Sequence, residues 1–308
     1  MKAFAVFAVI VSCKQNGINS ACINKSGPMT TIIVSLTTIP SRIQTLHKLR
    51  DCLIRQSLSP SAIEINIPYK YKNRNFGDID IYSIPSEFSV FRCDDFGPAT
   101  KLIPTLTRYK NADVLIIYCD DDRIYDFQWI ERLVNAAKLH PDSAICEESL
   151  SVGEIDKNFY NPNFKKSARY RLQRYLSLGL YKPCRYPDRS DVAEGFGGAL
   201  IRPQFFENDI RLIPDLIWFV DDVWISGYLA RKKINFIPTN RAHHQRSCGI
   251  TLENRDIGEI DGSLKHFTYK SFDRATLNFL AVRYFRERYG IWLPEITFGK
   301  SIFKESYY

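Results

Sequence analysis

The stretch Asp113-Val114-Leu115-Ile116-Ile117-Tyr118-Cys119-Asp120-Asp121-Asp122 decides how the rest of this 308-residue chain is read. Its apolar run from Val114 to Cys119 shows no alternation. That predicts a strand buried on both faces, as in a parallel sheet. The run ends on three carboxylates. Like charges crowded at the end of a buried strand repel one another and are tolerable together mainly beside a cation. Alternation along an extended backbone points Asp120 and Asp122 the same way. Two hard oxygen ligands on one side suit Mg2+ or Mn2+, with substrate phosphates completing the octahedron. An EF-hand fails as a reading, because Ile124 and Tyr125 stand where that loop needs an oxygen ligand and a glycine. A solvated turn that caps the following helix is the plain alternative.

Working outward, Thr31 to Leu36 is a second β-branched run, and Ile43, Leu46, Leu49, Leu53 and Ile54 have helical spacing over 43–56. Ile63 to Ile67 predicts a strand stopped by Pro68, and Val90 to Cys93 a weaker one that runs into Asp94-Asp95. Ala99 to Tyr109 predicts a helix with Pro104 as an internal fault. Phe127 to Leu139 follows the acidic cluster as another helix. This order predicts an α/β fold, Rossmann-like, with a mostly parallel central sheet flanked by helices. Ligands gather at the carboxyl ends of such strands. Ser35 to Thr37, Asp94-Asp95 and Asp120 to Asp122 all fall there.

Periodicity is lost between about 151 and 194, where Tyr and Arg interleave. Regular structure resumes at Gly195-Phe196-Gly197-Gly198. Asp221-Asp222 precedes a helix over 223–232, Asn235 to Pro238 forms a short strand, and His243-His244 follow it. Asp273 caps a last helix that runs to Tyr289 and stops at Gly290. No repeat or flexible linker divides the chain. Residues 29–308 therefore read as a single domain with two halves, 30–145 and 146–308.

Hydrophobic residues at 45% and charged residues at 25% exclude a disordered chain or a coiled coil. A net charge of +8 suits an anionic partner: nucleotide, phospholipid surface or nucleic acid. The eight cysteines form no C-x-x-C pair, which excludes a zinc ribbon or a thioredoxin-like motif. They read as buried free thiols in a reducing compartment. Residues 1–28 are a leader. Lys2 and the apolar run to Cys13 look like a short signal sequence, while a true start at Met29 would make the leader a gene-model artefact. The run is shorter than the ~20 residues a spanning helix needs. A cytoplasmic protein, working at the membrane surface through its basic face, is expected; a genuine signal would place it in the secretory pathway.

Five blocks in order, Val34 to Arg42, Asp95 to Leu102, Asp120 to Asp122, Gly197 to Ala199 and Asp221 to Gly227, carry a family resemblance. The chain resembles the GT-A glycosyltransferases, whose DxD motif holds a divalent metal against a donor diphosphate. It is also similar to a group of uncharacterised glycosyltransferase-like sequences that share the five blocks. The resemblance implies metal-dependent transfer of a sugar, with inversion, from a nucleotide sugar to a glycan, lipid-linked or protein acceptor, with 30–145 as the nucleotide-binding half and 146–308 as the acceptor and catalytic half. A UDP-sugar is the expected donor and Mn2+ or Mg2+ the cofactor. By resemblance, Asp120 and Asp121 lie toward the donor, Asp122 binds the metal with Asp120, and His243, or His244, adds a further ligand. Thr37, Thr38 and Arg42 belong to the loop that contacts the nucleoside. Gly197 and Gly198 let backbone approach the donor sugar. Asp222 is the base and Asp221 its neighbour.

Each residue also has a plainer reading. Lys101 is a point cation for the diphosphate, or an exposed helix lysine. Asp95 bonds the base or ribose, or caps the next helix. Asp221 and Asp222 also suit a helix N-cap, and the histidines a basic surface loop. The Tyr/Arg segment over 165–189 suits an acceptor or a membrane surface. Without an RRM, KH or zinc signature, nucleic acid is not expected. Two rival functions remain: a metal-dependent sugar nucleotidyltransferase, and a non-catalytic sugar-binding module of the same fold.

Overall fold

A computed structural model describes residues 30–72, 76–160, 175, 190–239, 247–252, 255–256, 264 and 267–293. Seven strands build the central sheet: β1 (Thr31–Thr37), β2 (Ala62–Pro68), β3 (Phe88–Cys93), β4 (Val114–Tyr118), β5 (Ala144–Cys146), β6 (Ala199–Ile201) and β7 (Phe236–Pro238). Their spatial order is β7-β5-β6-β4-β1-β2-β3. The pairs β3·β2, β2·β1, β1·β4 and β5·β7 are parallel. Only β6 runs antiparallel, between β4 and β5. The fold is thus α/β with a mostly parallel sheet, and residues beyond 190 return to the sheet that residues 31–118 begin.

Alternation sorts the core into two layers. Ile32, Val34, Leu36, Ile63, Ile65, Leu115 and Ile117 face one side. There they meet helices α1 (Leu46–Ile54) and α3 (Trp129–Leu139) through Leu46, Leu49, Leu53, Ile130 and Leu133. Ile33, Val114, Ile116, Tyr118, Ala199 and Ile201 face the other side. That layer is covered by α2 (Ile103–Arg108), α5 (Asp221–Arg231) and α6 (Arg274–Tyr289), with α4 (Val152–Tyr160) packed on α6. Asp273 caps α6 by accepting from Thr276 N at 2.8 Å, and Gly290 ends it in the left-handed region.

Two expected helices are corrected. In place of one helix over 43–56, Pro40–Thr45 forms a 3-10 turn and α1 starts at Leu46. Proline fits only a first turn, and here it opens one. Pro104 is likewise no internal fault. It sits in the first turn of α2, after a 3-10 turn over Ala99–Lys101.

Under α2 the second layer turns polar. Glu64 and Asn66 on β2 are buried beside Ser35 on β1. Ser35 Oγ donates to Lys101 O at 2.6 Å and lies 2.7 Å from Thr105 Oγ1. Asn66 Nδ2 donates to Thr105 Oγ1 at 3.0 Å, and Asn66 Oδ1 accepts from Arg108 at 2.8 Å. Arg108 and the Tyr109 hydroxyl both donate to Glu64. This network fixes the main chain that carries Lys101.

Candidate active site

The acidic loop leaves β4 at the carboxyl edge of the sheet. Asp121 is the innermost of the three aspartates. Its carboxylate accepts from Thr38 Oγ1 at 2.6 Å and pairs with Arg42 Nη1 at 2.5 Å. Asp121 and Arg42 therefore lock the loop against the end of β1, which is a positioning role. Arg42 is no solvated arginine: it is tucked between Asp121 and Asp122, 3.3 Å from the latter. The Thr37 hydroxyl donates to Asn66 O at 2.7 Å. Its neighbour Thr38 is the threonine that reaches the cluster.

Lys101 is the centre of the arrangement. It is buried, not an exposed helix lysine. Its Nζ lies 2.6 Å from Asp120, 2.8 Å from Asp221 and 3.9 Å from Asp222. Two acidic groups a hundred residues apart thus meet across one ammonium. Asp221 and Asp222 lie in the first turn of α5, whose N-cap is Val220, so neither is the N-cap. Asp222 Oδ1 instead accepts from Gly195 N at 3.0 Å. Asp222 is the more open of the pair, with 22% of its side chain exposed against 3% for Asp221.

Charge at this place does not balance. Among the described residues, five carboxylates (Asp120, Asp121, Asp122, Asp221, Asp222) face three cations in ion-pair contact: Arg42, Lys101 and Arg123. The two aspartates the cations serve least show the effect. Burial, then the charges of Asp120 and Asp121, pushes the Asp122 carboxyl up to about 7. Burial, then Asp221, pushes Asp222 up to about 7. For Asp120 burial works in the same upward direction, but the Lys101 ammonium outweighs it and holds the carboxyl below its ordinary range. Burial likewise works to lower Lys101, and Asp120, Asp221 and Asp222 overcome it and raise it.

Unsatisfied polar atoms gather here too. Among the described residues, the buried side-chain atoms without a hydrogen-bond partner include Arg42 Nε, Tyr118 Oη and Arg123 Nε, while Asp221 Oδ2 is met by the Lys101 ammonium at 2.8 Å. The three unpartnered atoms belong to this cluster or its floor. Such groups are rare in folded proteins, and their collection in one place marks a site rather than a core. Among the described residues no set of three His, Cys, Asp or Glu side chains converges to hold a metal. Asp120 and Asp122 stand on the one loop after β4, and a pair of carboxylates suits Mg2+ or Mn2+ when water and phosphate oxygens complete the shell. The excess negative charge fits a divalent cation.

The remaining expected residues divide. Asp95 is buried and builds its own turn, accepting from Gly97 N at 2.8 Å and Lys72 N at 2.7 Å. Both carboxylate oxygens are engaged by backbone, but Asp95 caps no helix: Pro98 opens the 3-10 turn over Ala99–Lys101 without a side-chain cap. Gly197 and Gly198 lie against packed side chains. A Cβ on Gly197 would meet the Glu148 side chain at 2.8 Å, and one on Gly198 would meet Trp129 at 2.3 Å. The glycine against the site is Gly195, where a Cβ would stand 2.3 Å from Lys101 Nζ and 3.0 Å from Asp222 Oδ1. His243, His244 and, apart from Tyr175, the Tyr/Arg segment over 165–189 lie outside the described residues. The segment after them does touch the site: Cys248-Gly249 pairs antiparallel with Arg123-Ile124, and Ile250 N donates to Asp122 O at 2.8 Å.

No family model matches the sequence, and no curated protein matches it. Solved structures align in part. Glucosyl-3-phosphoglycerate synthase from Mycobacterium tuberculosis, in complex with Mn2+, UDP and phosphoglyceric acid, is similar at TM-score 0.35 and 14% identity over 57% of each chain. S. aureus TarS 1–349 in complex with UDP is similar at TM-score 0.40 and 10% identity, over 71% of this chain and 60% of that one. The chain spans less than two thirds of the length of either. Likeness at this level leaves the assignment to the residues themselves.

Proposed function

We propose that this chain is a metal-dependent glycosyltransferase of the GT-A type, transferring a sugar with inversion from a UDP-sugar to an acceptor hydroxyl. The observation that supports it best is the meeting of Asp120–Asp122 with Asp221-Asp222 across buried Lys101. A carboxylate loop suited to a metal diphosphate and a carboxylate suited to a base then stand on opposite sides of one cation. A sugar-binding module needs no such second group.

Asp120 and Asp122 would hold the divalent cation, which when bound stabilises charge on the departing diphosphate. Arg42 and Asp121 keep that loop in place. Lys101 pairs with Asp221 beside Asp222 and ties the two acidic groups together. Asp222, with its carboxyl near 7, takes the acceptor hydroxyl proton near neutral pH. The acceptor oxygen forms the new bond to the anomeric carbon as the bond to the diphosphate oxygen breaks, and UDP leaves.

The test is a screen of nucleotide sugars for Mn2+-dependent release of nucleoside diphosphate, run on the wild type and on Asp122→Ala. Metal-dependent release by the wild type alone supports the reading. Release of pyrophosphate would identify a nucleotidyltransferase. Undiminished turnover in Asp122→Ala would remove the metal assignment.

A further inference from the structure

Three cations stand in the acidic cluster, and two of them are engaged by carboxylates at close range. Arg42 pairs with Asp121 at 2.5 Å and lies 3.3 Å from Asp122. Buried Lys101, read from the sequence as the charge for a diphosphate, sits instead 2.6 Å from Asp120 and 2.8 Å from Asp221. Arg123 differs from both. Among the described residues its ion-pair contact is with Asp122 alone, at 3.6 Å from Nε to Oδ1. That separation is past hydrogen-bond reach, and the buried Nε has no hydrogen-bond partner. The side chain is 28% exposed, so it is open at the surface of the cluster.

The guanidinium is nevertheless held. It lies over the Phe196 ring, with Cζ 4.7 Å from the centroid, an arrangement that suits a planar cation. Phe196 belongs to the 3-10 turn Gly195–Gly197, which is pinned at each of its residues. Gly195 N donates to Asp222 Oδ1 at 3.0 Å. Phe196 O accepts from the Tyr125 hydroxyl at 3.3 Å and from Ser247 Oγ at 3.1 Å. Gly197 O accepts from Trp129 Nε1 at 2.9 Å. Arg123 therefore rests on the turn that also holds Asp222, and it stands beside Asp122. An arginine seated on a fixed ring loses little freedom when it binds. Its fork of donors matches phosphate oxygens.

We propose that Arg123, carried on the Phe196 ring, binds the terminal phosphate of a nucleoside diphosphate, with Phe196 as its positioning residue. The proposal rests on the reading of Asp122 as a metal ligand beside that diphosphate. Inorganic pyrophosphate tests it without a nucleotide sugar and without turnover.

Calorimetry measures Mn2+ alone, then pyrophosphate in the presence of Mn2+. The proteins are the wild type, Arg123→Met, Arg123→Lys, Phe196→Leu and the double variant Arg123→Met with Phe196→Leu. Arg123→Met should weaken pyrophosphate about tenfold or more, the scale of a lost charge-assisted contact. Mn2+ alone should bind as tightly or more tightly, since a positive charge beside Asp122 is gone. A merely structural arginine would lose both together, and that result overturns the proposal. Arg123→Lys keeps the charge without the fork and should lose about threefold or more. Pyrophosphate affinity at the wild-type level in either Arg123 variant overturns the proposal. Phe196→Leu should weaken pyrophosphate about threefold when Arg123 is present and not at all once it is replaced. Equal losses in both backgrounds overturn the positioning role. UDP should lose about tenfold in Arg123→Met and UMP less than about twofold; equal loss of the two overturns the assignment to the terminal phosphate. The expected pyrophosphate results in a protein that releases no nucleoside diphosphate from any nucleotide sugar would refute the transferase and leave the phosphate site standing. Mn2+-dependent release with unchanged pyrophosphate affinity in Arg123→Met would do the reverse.

Discussion

Replacing Lys101 by methionine keeps the length and most of the volume of the side chain and removes its charge. Lys101 is buried, and its ammonium sits within 2.8 Å of both Asp120 and Asp221. Removing one partner of a buried ion pair typically costs about 3–5 kcal/mol, because the other charge stays behind without compensation. Here three carboxylates lose a cation that already serves too many. At about 2 °C per kcal/mol for a domain of this size, the midpoint should fall by about 6–10 °C at pH 8. The loss should shrink at pH 5. Lys101 lowers the carboxyls of Asp120 and Asp222, so without it both rise in the folded state; the variant's stability is fullest below the unfolded carboxyl value and is lost as pH rises through the new, higher ones. Adding Asp221→Asn to Lys101→Met removes a stranded charge and should recover part of the deficit. Circular dichroism melts of the three proteins at pH 5 and pH 8 measure all of this. A deficit under about 1 kcal/mol, or one that does not change with pH, would refute the account of Lys101 as the charge that joins the two acidic groups.

Asp122 shows the same linkage in the wild type: its raised carboxyl makes the metal-free protein less stable as pH rises from about 4 through about 7. Asp122→Asn, which cannot ionise, should flatten that slope in melts and abolish the Mn2+-induced rise in midpoint at pH 8; an undiminished Mn2+ shift would place the metal elsewhere. Asp222→Asn should bind UDP and Mn2+ like the wild type in calorimetry while transfer falls about 10²-fold or more, the usual scale for a lost general base. Equal loss of binding and transfer would make Asp222 a structural residue. Gly195→Ala puts a methyl 2.3 Å from Lys101 Nζ. It should cost about 1–3 kcal/mol in urea melts and most of the turnover, and wild-type behaviour in both would show that Lys101 yields freely.

What could be read in the sequence followed from local pattern. The apolar run before Asp120 has the composition of a doubly buried strand, and the cap and stop of α6 are spelled by Asp273 and Gly290. The acidic groups were visible for the same reason, as clusters at predicted element ends. The burial of Lys101 was not, because its partners lie 19 and 120 positions downstream. Nothing in Pro98-Ala99-Thr100-Lys101 distinguishes a buried lysine from an exposed one. Thr37 and Thr38 part ways because strand alternation ends at that point: Thr37 still belongs to β1, and Thr38 turns onto Asp121. Glycine shows only that a side chain is unwelcome. Whether a ligand, Trp129 or Lys101 occupies the space is a tertiary fact, and it separated Gly195 from Gly197 and Gly198.

The polar floor beneath α2 has a consequence for how the strands find one another. β1, β2 and β4 are rich in isoleucine, valine and leucine, and apolar strands of this kind pack tolerably against their neighbours in more than one alignment. Glu64, Asn66 and Ser35 do not. A slip of one residue between β1 and β2 flips side chains to the opposite face. It would carry Glu64 away from Arg108 and Tyr109 and into the layer of Leu46 and Leu49, a charge in hydrocarbon. Thr105 and Asn66 would lose each other in the same movement. These buried polar residues therefore act as a key that fits one alignment of the sheet. Replacing Glu64, Asn66 and Arg108 together by leucine-sized residues should preserve compactness while broadening the amide resonances of β1 and β2, as strands once held to a single register begin to exchange among several.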